Sequence, residues 1–136
     1  MKKIVLLGAG GHAKVIIDII RSVNDYQITG ITSKDNGKSK VYDIPIIGSD
    51  DLLKGCKESG VEYAFIALGA LADRQIRNKL FDMLKDLGFK IPNLIHKTAI
   101  VSPHVSIGEG TCVMPSAIIN SGVCKIGRAS CRERVS

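Results

Sequence analysis

The chain opens with an alternation of apolar runs and amphipathic stretches that predicts a small α/β domain. Residues 3–7 form a short apolar run that leads into a glycine turn, which indicates a buried strand. Beyond the turn, apolar and charged side chains fall on opposite faces at helical spacing, which predicts an amphipathic helix packed on a sheet. The apolar positions are Ala13, Ile16, Ile17 and Ile20, and the charged ones are Lys14, Asp18 and Arg21.

The same alternation continues to about residue 88. Further strands are predicted over 27–31, 44–47 and 61–68, and the last is so apolar that we expect it to be covered on both faces. Two helices are predicted: one capped by Ser49 over 50–53, and one from Asp73 to a terminating Gly88, with apolar positions Ile76, Leu80, Leu84 and Leu87. Alternating strands and helices predict a small doubly wound, Rossmann-like parallel sheet, with the strand at 61–68 beside the first one.

From residue 95 the period of the pattern changes to six. The first position of each hexad is aliphatic and the fifth is small: Ile95, Val101, Ile107, Val113 and Ile119 in the first set, and Ala99, Val105, Thr111, Ala117 and Val123 in the second. An aliphatic side chain every six residues can stack inward at each corner of a triangular coil. The hexads therefore predict a hexapeptide β-helix over 95–124.

The glycine turn after the first strand carries a candidate anion site. Gly8-x-Gly10-x-x-Ala13 satisfies the G-x-G-x-x-G/A fingerprint and lies between a strand and a helix. Glycines let the backbone approach a diphosphate, and the helix N-terminus supplies N–H groups and positive potential. The alternative is a tight turn that binds nothing. A nicotinamide dinucleotide normally requires an acidic residue at the end of the second strand, where this chain has Thr32 and Ser33, so the dinucleotide interpretation is weakened.

Two further side chains are candidates near this turn. His12, at the mouth of the first helix, can offer a neutral nitrogen to a ligand, or it can pack locally. Arg77 lies on the helix after Gly69 and is either a phosphate ligand or a solvated helix-face arginine.

With the hexads joined to the Gly-Ala-Gly-Gly-His loop, the chain resembles the hexapeptide sugar acyltransferases of the sialic acid O-acetyltransferase and UDP-bacillosamine N-acetyltransferase family. The resemblance runs from Lys3 to Cys124 and rests on residues 3–12, 67–69, 76–77, 93–97, 113–115 and 119–120. It implies an N-terminal domain that binds a nucleotide sugar, and a left-handed parallel β-helix that forms a homotrimer and holds acetyl-CoA, the acyl donor, between subunits. It also implies a histidine general base that takes the proton from the acceptor amine or hydroxyl. By resemblance, the residues that line the sugar-nucleotide site are Gly8, Gly10, Gly11, His12, Asp35, Gly69 and Arg77.

Composition narrows the function classes. The 136 residues carry 19 Lys and Arg against 13 Asp and Glu, a formal charge of +6. Half of this excess lies in the last twelve residues, so we expect no nucleic-acid partner. The four cysteines lack zinc-site spacing, and apolar runs are far too short to span a membrane. We therefore expect a cytoplasmic protein with no metal site.

The end of the chain departs from the hexads. An aliphatic residue is due at 125, where the sequence has Lys125 followed by Ile126. Residues 126–135 look like the translation of a sequencing-adapter read-through, so the expected organisation is a nucleotide-sugar domain over 1–94, a truncated β-helix over 95–124 and a non-native tail over 125–136.

By resemblance, the family's catalytic histidine lies in later coils, and neither His96 nor His104 takes its place. We therefore expect a fragment of an acyltransferase for surface glycan biosynthesis that has no catalytic residue and no activity of its own. The alternatives are a fragment of an NAD-dependent oxidoreductase and a non-enzymatic nucleotide-binding module.

Overall fold

The computed structural model describes residues 1–34, 40–68 and 74–119, together with the backbone of 125–126 and 130–131. The first part contains β1 (Lys2–Leu7), α1 (Gly11–Val23), β2 (Tyr26–Thr32), β3 (Lys40–Val41), β4 (Ile44–Gly48), a 3-10 turn (Asp50–Leu52), α2 (Leu53–Glu58), β5 (Tyr63–Ile66) and α3 (Arg74–Asp86). Two-residue strands follow: β6 (Leu94–Ile95), β7 (Ile100–Val101), β8 (Ser106–Ile107), β9 (Cys112–Val113), β10 (Ile118–Ile119), β11 (Lys125–Ile126) and β12 (Ser130–Cys131).

The first five strands form one sheet in the order β3-β4-β2-β1-β5. β1 is parallel to both β2 and β5, and β2 is parallel to β4, so the predicted α/β parallel sheet is confirmed. The short β3 pairs antiparallel with β4 and was not predicted. As expected, β5 lies beside β1.

A large part of the core of this domain is formed by the sheet and α1. The four apolar positions predicted for this helix, Ala13, Ile16, Ile17 and Ile20, are all fully buried, as are the strand residues Ile4, Val5 and Leu6. Burying a side chain of this size contributes roughly 1.5–3 kcal/mol relative to leaving it exposed. The amphipathic pattern therefore identified the face of α1 that holds the domain together.

The strand predicted over 61–68 is shorter than expected. β5 runs only from Tyr63 to Ile66 and ends the row of five strands, with β1 as its neighbour. Its other edge meets the segment after α3, where Tyr63 forms a parallel bridge with Lys90 and the Ala64 N–H donates to the Lys90 carbonyl at 3.1 Å. The consecutive residues Ala64 and Phe65 point to opposite faces of the sheet and are both buried, as expected of a strand covered on both faces.

The short helix after β4 also differs from its prediction. Ser49 precedes a 3-10 turn rather than an α-helix, and its hydroxyl donates to the Asp51 carboxylate rather than serving as a backbone cap.

The longer helix, α3, is confirmed, but its buried face differs from the predicted one at one position. It buries Phe81 and Leu84, whereas Ile76, which the pattern placed on the apolar face, is 52% exposed. Gly88 follows its end with φ +90°, as expected of a terminating glycine. The proposed cap Asp73 lies outside the described residues.

Beyond residue 93 the chain forms short parallel ladders in step with the hexads. Each of the strands β6 to β10 ends on the first position of a hexad. The β6–β9 and β7–β10 ladders join segments three hexads apart, as in Leu94 with Cys112 and Ile100 with Ile118. The side chains at first and fifth positions share one apolar cluster of Val113, Ala117 and Ile119 with Ile95, Ala99, Val101, Val105 and Ile107. The period of six thus corresponds to a common inward face.

The backbone of the last two strands continues these ladders. β11 pairs with β8 and β12 pairs with β9, both in parallel. The β11 pairing joins Ile126 to Ile107, one residue later than three hexads, which accommodates the phase break at Lys125. The origin of residues 125–136 stays a prediction.

The hexads pack against the α/β domain through both long helices. The Lys97 N–H donates to the Ser22 hydroxyl at 3.3 Å, at the end of α1. From α3, the Lys85 ammonium lies 3.1 Å from the Glu109 carboxylate. Within the described part of the chain, no helix is long and apolar enough to cross a membrane.

Candidate functional site at the carboxyl edge of the sheet

A cleft of about 470 Å³ opens where the parallel strands end. It is lined by Leu7, Gly8, Ala9, Gly10, Thr32, Ser33, Lys34, Asp50, Leu68, Ile76 and Leu80. These residues end β1 and β2, follow β1, β2, β4 and β5, or belong to α3. Ligands of open α/β sheets bind at this edge, and the volume is in the range of small-molecule sites.

Gly8 forms the floor of the cleft in a conformation that favours glycine. Its φ is +115°, and a Cβ there would lie 3.0 Å from Leu68 Cδ2 and 3.1 Å from the Ala67 carbonyl oxygen. Its N–H donates to the Thr32 carbonyl at 2.8 Å. The glycine is thus required because the turn after β1 closely approaches the residues after β5, while its hydrogen bond to Thr32 ties it to β2.

The N-terminus of α1 faces this turn. Gly10 is the extended residue before the helix, and both Gly10 and Gly11 are exposed. A Cβ at either position would meet no described atom within 4 Å. The first N–H groups of a helix lack partners within the helix and carry positive potential, so this open backbone can hold an anion such as a phosphate.

The two flanks of the cleft differ in chemistry. On the β2 and β4 side, the buried Thr32 hydroxyl donates to Asp50 Oδ1 at 2.7 Å, and the exposed Lys34 lies nearby on the rim. On the β5 and α3 side, the wall is apolar and is made by Leu68, Ile76 and Leu80. The partial exposure of Ile76 is therefore exposure to the cleft.

Asp50 is the cleft residue that sequence reasoning missed. The pattern placed it inside a helix capped by Ser49, whereas it begins a 3-10 turn at the end of β4. The available signal was its position two residues after the strand-ending Gly48, because every parallel strand of such a sheet delivers its next residues to the same edge. Its neighbour Asp51 is bonded instead to Ser49, and that hydrogen bond lowers the pKa of the Asp51 carboxyl.

The residues carried over by resemblance do not all meet in the cleft. Gly8 and Gly10 line it, and Gly11 follows as the first residue of α1. Asp35 and Gly69 lie outside the described residues.

His12 and Arg77 are turned elsewhere. His12 Nε2 lies 4.0 Å from Sγ of the buried Cys112 in β9, so its ring points towards the hexads. The Arg77 guanidinium donates to the Leu68 carbonyl at 2.7 Å. It lines a separate cavity of about 20 Å³ between α3 and the turn at Gly110. Arg77 therefore fixes the end of β5 beside the cleft.

The described ranges hold no candidate metal site. Those residues contain no group of three His, Cys, Asp or Glu side chains that could hold a metal ion.

Comparison with known proteins places these features in a family. Residues 3–84 match a family model described as the PglD N-terminal domain. A curated relative, UDP-N-acetylbacillosamine N-acetyltransferase of Bacillus subtilis (strain 168), is 29% identical over 119 residues, which cover 84% of this chain and 52% of that protein.

Solved structures give the same picture. PerB of Caulobacter crescentus, in complex with CoA and GDP-perosamine, is 36% identical with a TM-score of 0.83, over 93% of this chain and 57% of that one. The acetyltransferase domain of PglB from Neisseria gonorrhoeae FA1090 is 32% identical with a TM-score of 0.81, over 96% and 62%. A second structure of the PglB domain is a complex with acetyl coenzyme A. The chain thus spans about half the length of these relatives.

Proposed function

The chain belongs to the family of the PglD N-terminal domain, and from this premise we propose that its cleft binds a nucleotide sugar for an acetyl-CoA-dependent acyltransferase. The observation that carries the proposal is the open helix N-terminus of α1 behind the Gly8 turn, at the centre of a cleft of about 470 Å³. This arrangement suits a diphosphate in the middle of the cleft, with room for a group on each side. PerB, in complex with CoA and GDP-perosamine, supports a nucleotide sugar as the ligand.

The hexads supply the second part of the proposal. We infer that residues 95–124 begin a left-handed parallel β-helix, which in the complete protein forms a homotrimer and binds acetyl-CoA between subunits. The ladders three hexads apart and their shared apolar cluster support a coiled backbone. The complex of the PglB acetyltransferase domain with acetyl coenzyme A supports the donor.

The proposed reaction is acyl transfer to an amine or hydroxyl of the sugar, as a step in surface glycan biosynthesis in the cytoplasm. The acceptor atom attacks the thioester carbonyl, a general base takes its proton, and coenzyme A leaves as the thiol. Relatives named as N-acetyltransferases favour an amine as the acceptor.

We further propose that the 136 residues bind the nucleotide sugar without transferring the acetyl group. The three histidines are His12, His96 and His104. His12 lies against Cys112, the His96 Nδ1 accepts the Thr98 N–H at 3.1 Å, and His104 is exposed in a turn. An acetyl-transfer assay with acetyl-CoA and a nucleotide amino sugar should give no turnover, and turnover by the chain would refute this part of the proposal.

Ligand-induced thermal shifts test the binding function directly. A UDP- or GDP-linked amino sugar should raise the melting temperature, since a ligand at 100 times its Kd stabilises the folded state by about 2.7 kcal/mol. Stabilisation by NAD alone would favour the oxidoreductase interpretation. Stabilisation by none of these ligands would favour a non-enzymatic module that binds something else. A Gly11→Asp variant, which adds a negative charge at the helix N-terminus, should lose the response to the nucleotide sugar while it stays folded.

A further inference from the structure

The end of β2 lacks an acidic residue, yet the structure supplies a carboxylate at that place. In dinucleotide-binding sheets, an Asp or Glu at the end of the second strand accepts hydrogen bonds from the ribose. Here the last residue of β2 is Thr32, whose side chain is fully buried. Its hydroxyl donates to Asp50 Oδ1 at 2.7 Å. A carboxylate that follows β4, the neighbour of β2 in the sheet, thus lies one hydrogen bond away from the end of β2.

The backbone holds these two residues in register. Thr32 pairs with Gly48 across the parallel ladder of β2 and β4. The next residue, Ser33, donates its N–H to the Gly48 carbonyl at 2.8 Å. Asp50 follows Gly48 by two residues and lines the cleft together with Thr32. The placement of this carboxylate is therefore determined by the sheet as well as by the Thr32 hydroxyl.

We propose that Asp50, oriented by Thr32, accepts the ribose hydroxyls of the bound nucleotide and so determines which way the ligand lies in the cleft. The inference rests on the proposed nucleotide-sugar function and adds a residue and a direction to it. A carboxylate offers about four acceptor sites, and the Thr32 hydroxyl occupies one of them. The remaining sites match the two hydroxyl donors of a ribose.

The spacing of the strands agrees with this assignment. Leu7, which precedes the Gly8 turn, pairs with Thr32, so the loop proposed for the diphosphate and the end of β2 are neighbours. Adjacent strands lie about 4.8 Å apart, which places the end of β4 roughly 10 Å from the loop. A ribose attached to a phosphate at Gly8 therefore reaches the β2 and β4 flank, where Asp50 lies.

The opposite flank then receives the sugar. Its wall of Leu68, Ile76 and Leu80 is apolar, and it borders α3, the helix that contacts the hexads through Lys85 and Glu109. The nucleoside thus lies on the β2 and β4 side of the diphosphate, and the acceptor sugar lies on the α3 side.

The test compares nucleoside diphosphates with and without ribose hydroxyls. The affinities of the whole chain for UDP and GDP, and for their 2′,3′-dideoxy forms, are measured by isothermal titration calorimetry. The native protein should prefer the ribose form of the better-bound nucleotide by roughly tenfold or more, as expected for hydrogen bonds to a charged acceptor. Asp50→Asn should reduce that preference to about threefold or less, because a neutral acceptor makes weaker hydrogen bonds.

A matched control is the adjacent carboxylate. Asp51→Asn removes the same charge from a side chain bonded to Ser49, and it should retain the full preference for ribose. Thr32→Val keeps the buried volume and removes the orienting hydroxyl, so it should lower the preference without affecting the dideoxy ligands. This variant also carries the test if Asp50→Asn does not fold.

The outcomes separate the inference from the function on which it rests. If the native protein binds neither UDP nor GDP, the proposed function fails and the inference fails with it. If the native protein binds but shows no preference for ribose, or if Asp50→Asn retains the preference or weakens both ligands equally, the assignment of Asp50 is wrong while the proposed function stands. Loss of the preference in Asp35→Asn, with Asp50→Asn unaffected, would likewise overturn the assignment.

Discussion

Gly8→Ala is expected to destabilise the chain strongly, because this glycine is held where a side chain has no room. Its φ is +115°, a region that L-residues rarely adopt, and such backbone strain costs about 1–3 kcal/mol. The new Cβ would also lie 3.0 Å from Leu68 Cδ2 and 3.1 Å from the Ala67 carbonyl oxygen. Leu68 Cδ2 can rotate away, whereas the Ala67 carbonyl belongs to the main chain.

The main chain at Ala67 is itself tied to β1. The Ala67 N–H donates to the Leu7 carbonyl at 2.7 Å, so moving it away from a Cβ at Gly8 weakens a hydrogen bond worth about 0.5–1.5 kcal/mol. Strain and displacement together predict a loss of about 2–4 kcal/mol, a large share of the roughly 5–15 kcal/mol that stabilises a typical domain. For a chain of this size, the melting temperature should fall by on the order of 10 °C.

The measurement is thermal and urea denaturation followed by circular dichroism, with Gly11→Ala as the control. Gly11 is exposed, has open space around its Cβ position, and begins α1. Alanine is favoured over glycine in a helix by up to about 1 kcal/mol, so Gly11→Ala should melt at the native temperature or slightly above it. If Gly8→Ala melts within about 2 °C of the native protein, less than 1 kcal/mol has been lost and the strained-turn reasoning is refuted.

Three further predictions concern the core, the contact between the hexads and α3, and pH. Leu6→Ala removes a fully buried side chain from β1 and should lower the free energy of unfolding in urea by about 2–5 kcal/mol; a loss under about 1 kcal/mol would contradict the burial. A double-mutant cycle on Lys85 and Glu109, both about half exposed, should give a coupling of at most about 1 kcal/mol that falls at high salt, and a larger, salt-independent value would contradict this. Burial raises the pKa of Tyr26 above 10.0 in the folded protein. The protonated phenol of Tyr26 therefore stabilises the fold fully at pH values below 10.0, and this stabilisation is lost as the pH rises through the folded-state pKa. Tyr26→Phe should therefore lose less stability in alkaline urea titrations than the native protein, and equal losses would contradict the assignment.

The elements that hydrophobic periodicity predicted are those whose burial is set by neighbouring residues in the chain. The helix from Gly11 to Val23 has its buried face at the predicted positions, because a 3.6-residue period fixes which side chains share a face. The hexads likewise predicted the inward positions of residues 95–119, since every sixth residue takes the same inward position and every eighteenth lies beside it in a ladder.

The errors arose where distant parts of the chain meet. The strand predicted over 61–68 forms only from Tyr63 to Ile66, and the partner along its second edge is Lys90, which no local pattern indicates. Ile76 fits the apolar face of its helix and yet lines the cleft, since only the packing of α3 decides which apolar residues reach the core.

For the candidate site, the sequence by itself determined the glycine turn, the helix that follows it and therefore the place where an anion can bind, because these depend on consecutive residues. The tertiary structure alone decided what surrounds that place. It brought Asp50 from the end of β4 to Thr32, and turned His12 towards Cys112, one hundred positions later. The physical reason is that a parallel sheet gathers the ends of non-consecutive strands at one edge, so the chemistry of the cleft depends on strand order and register.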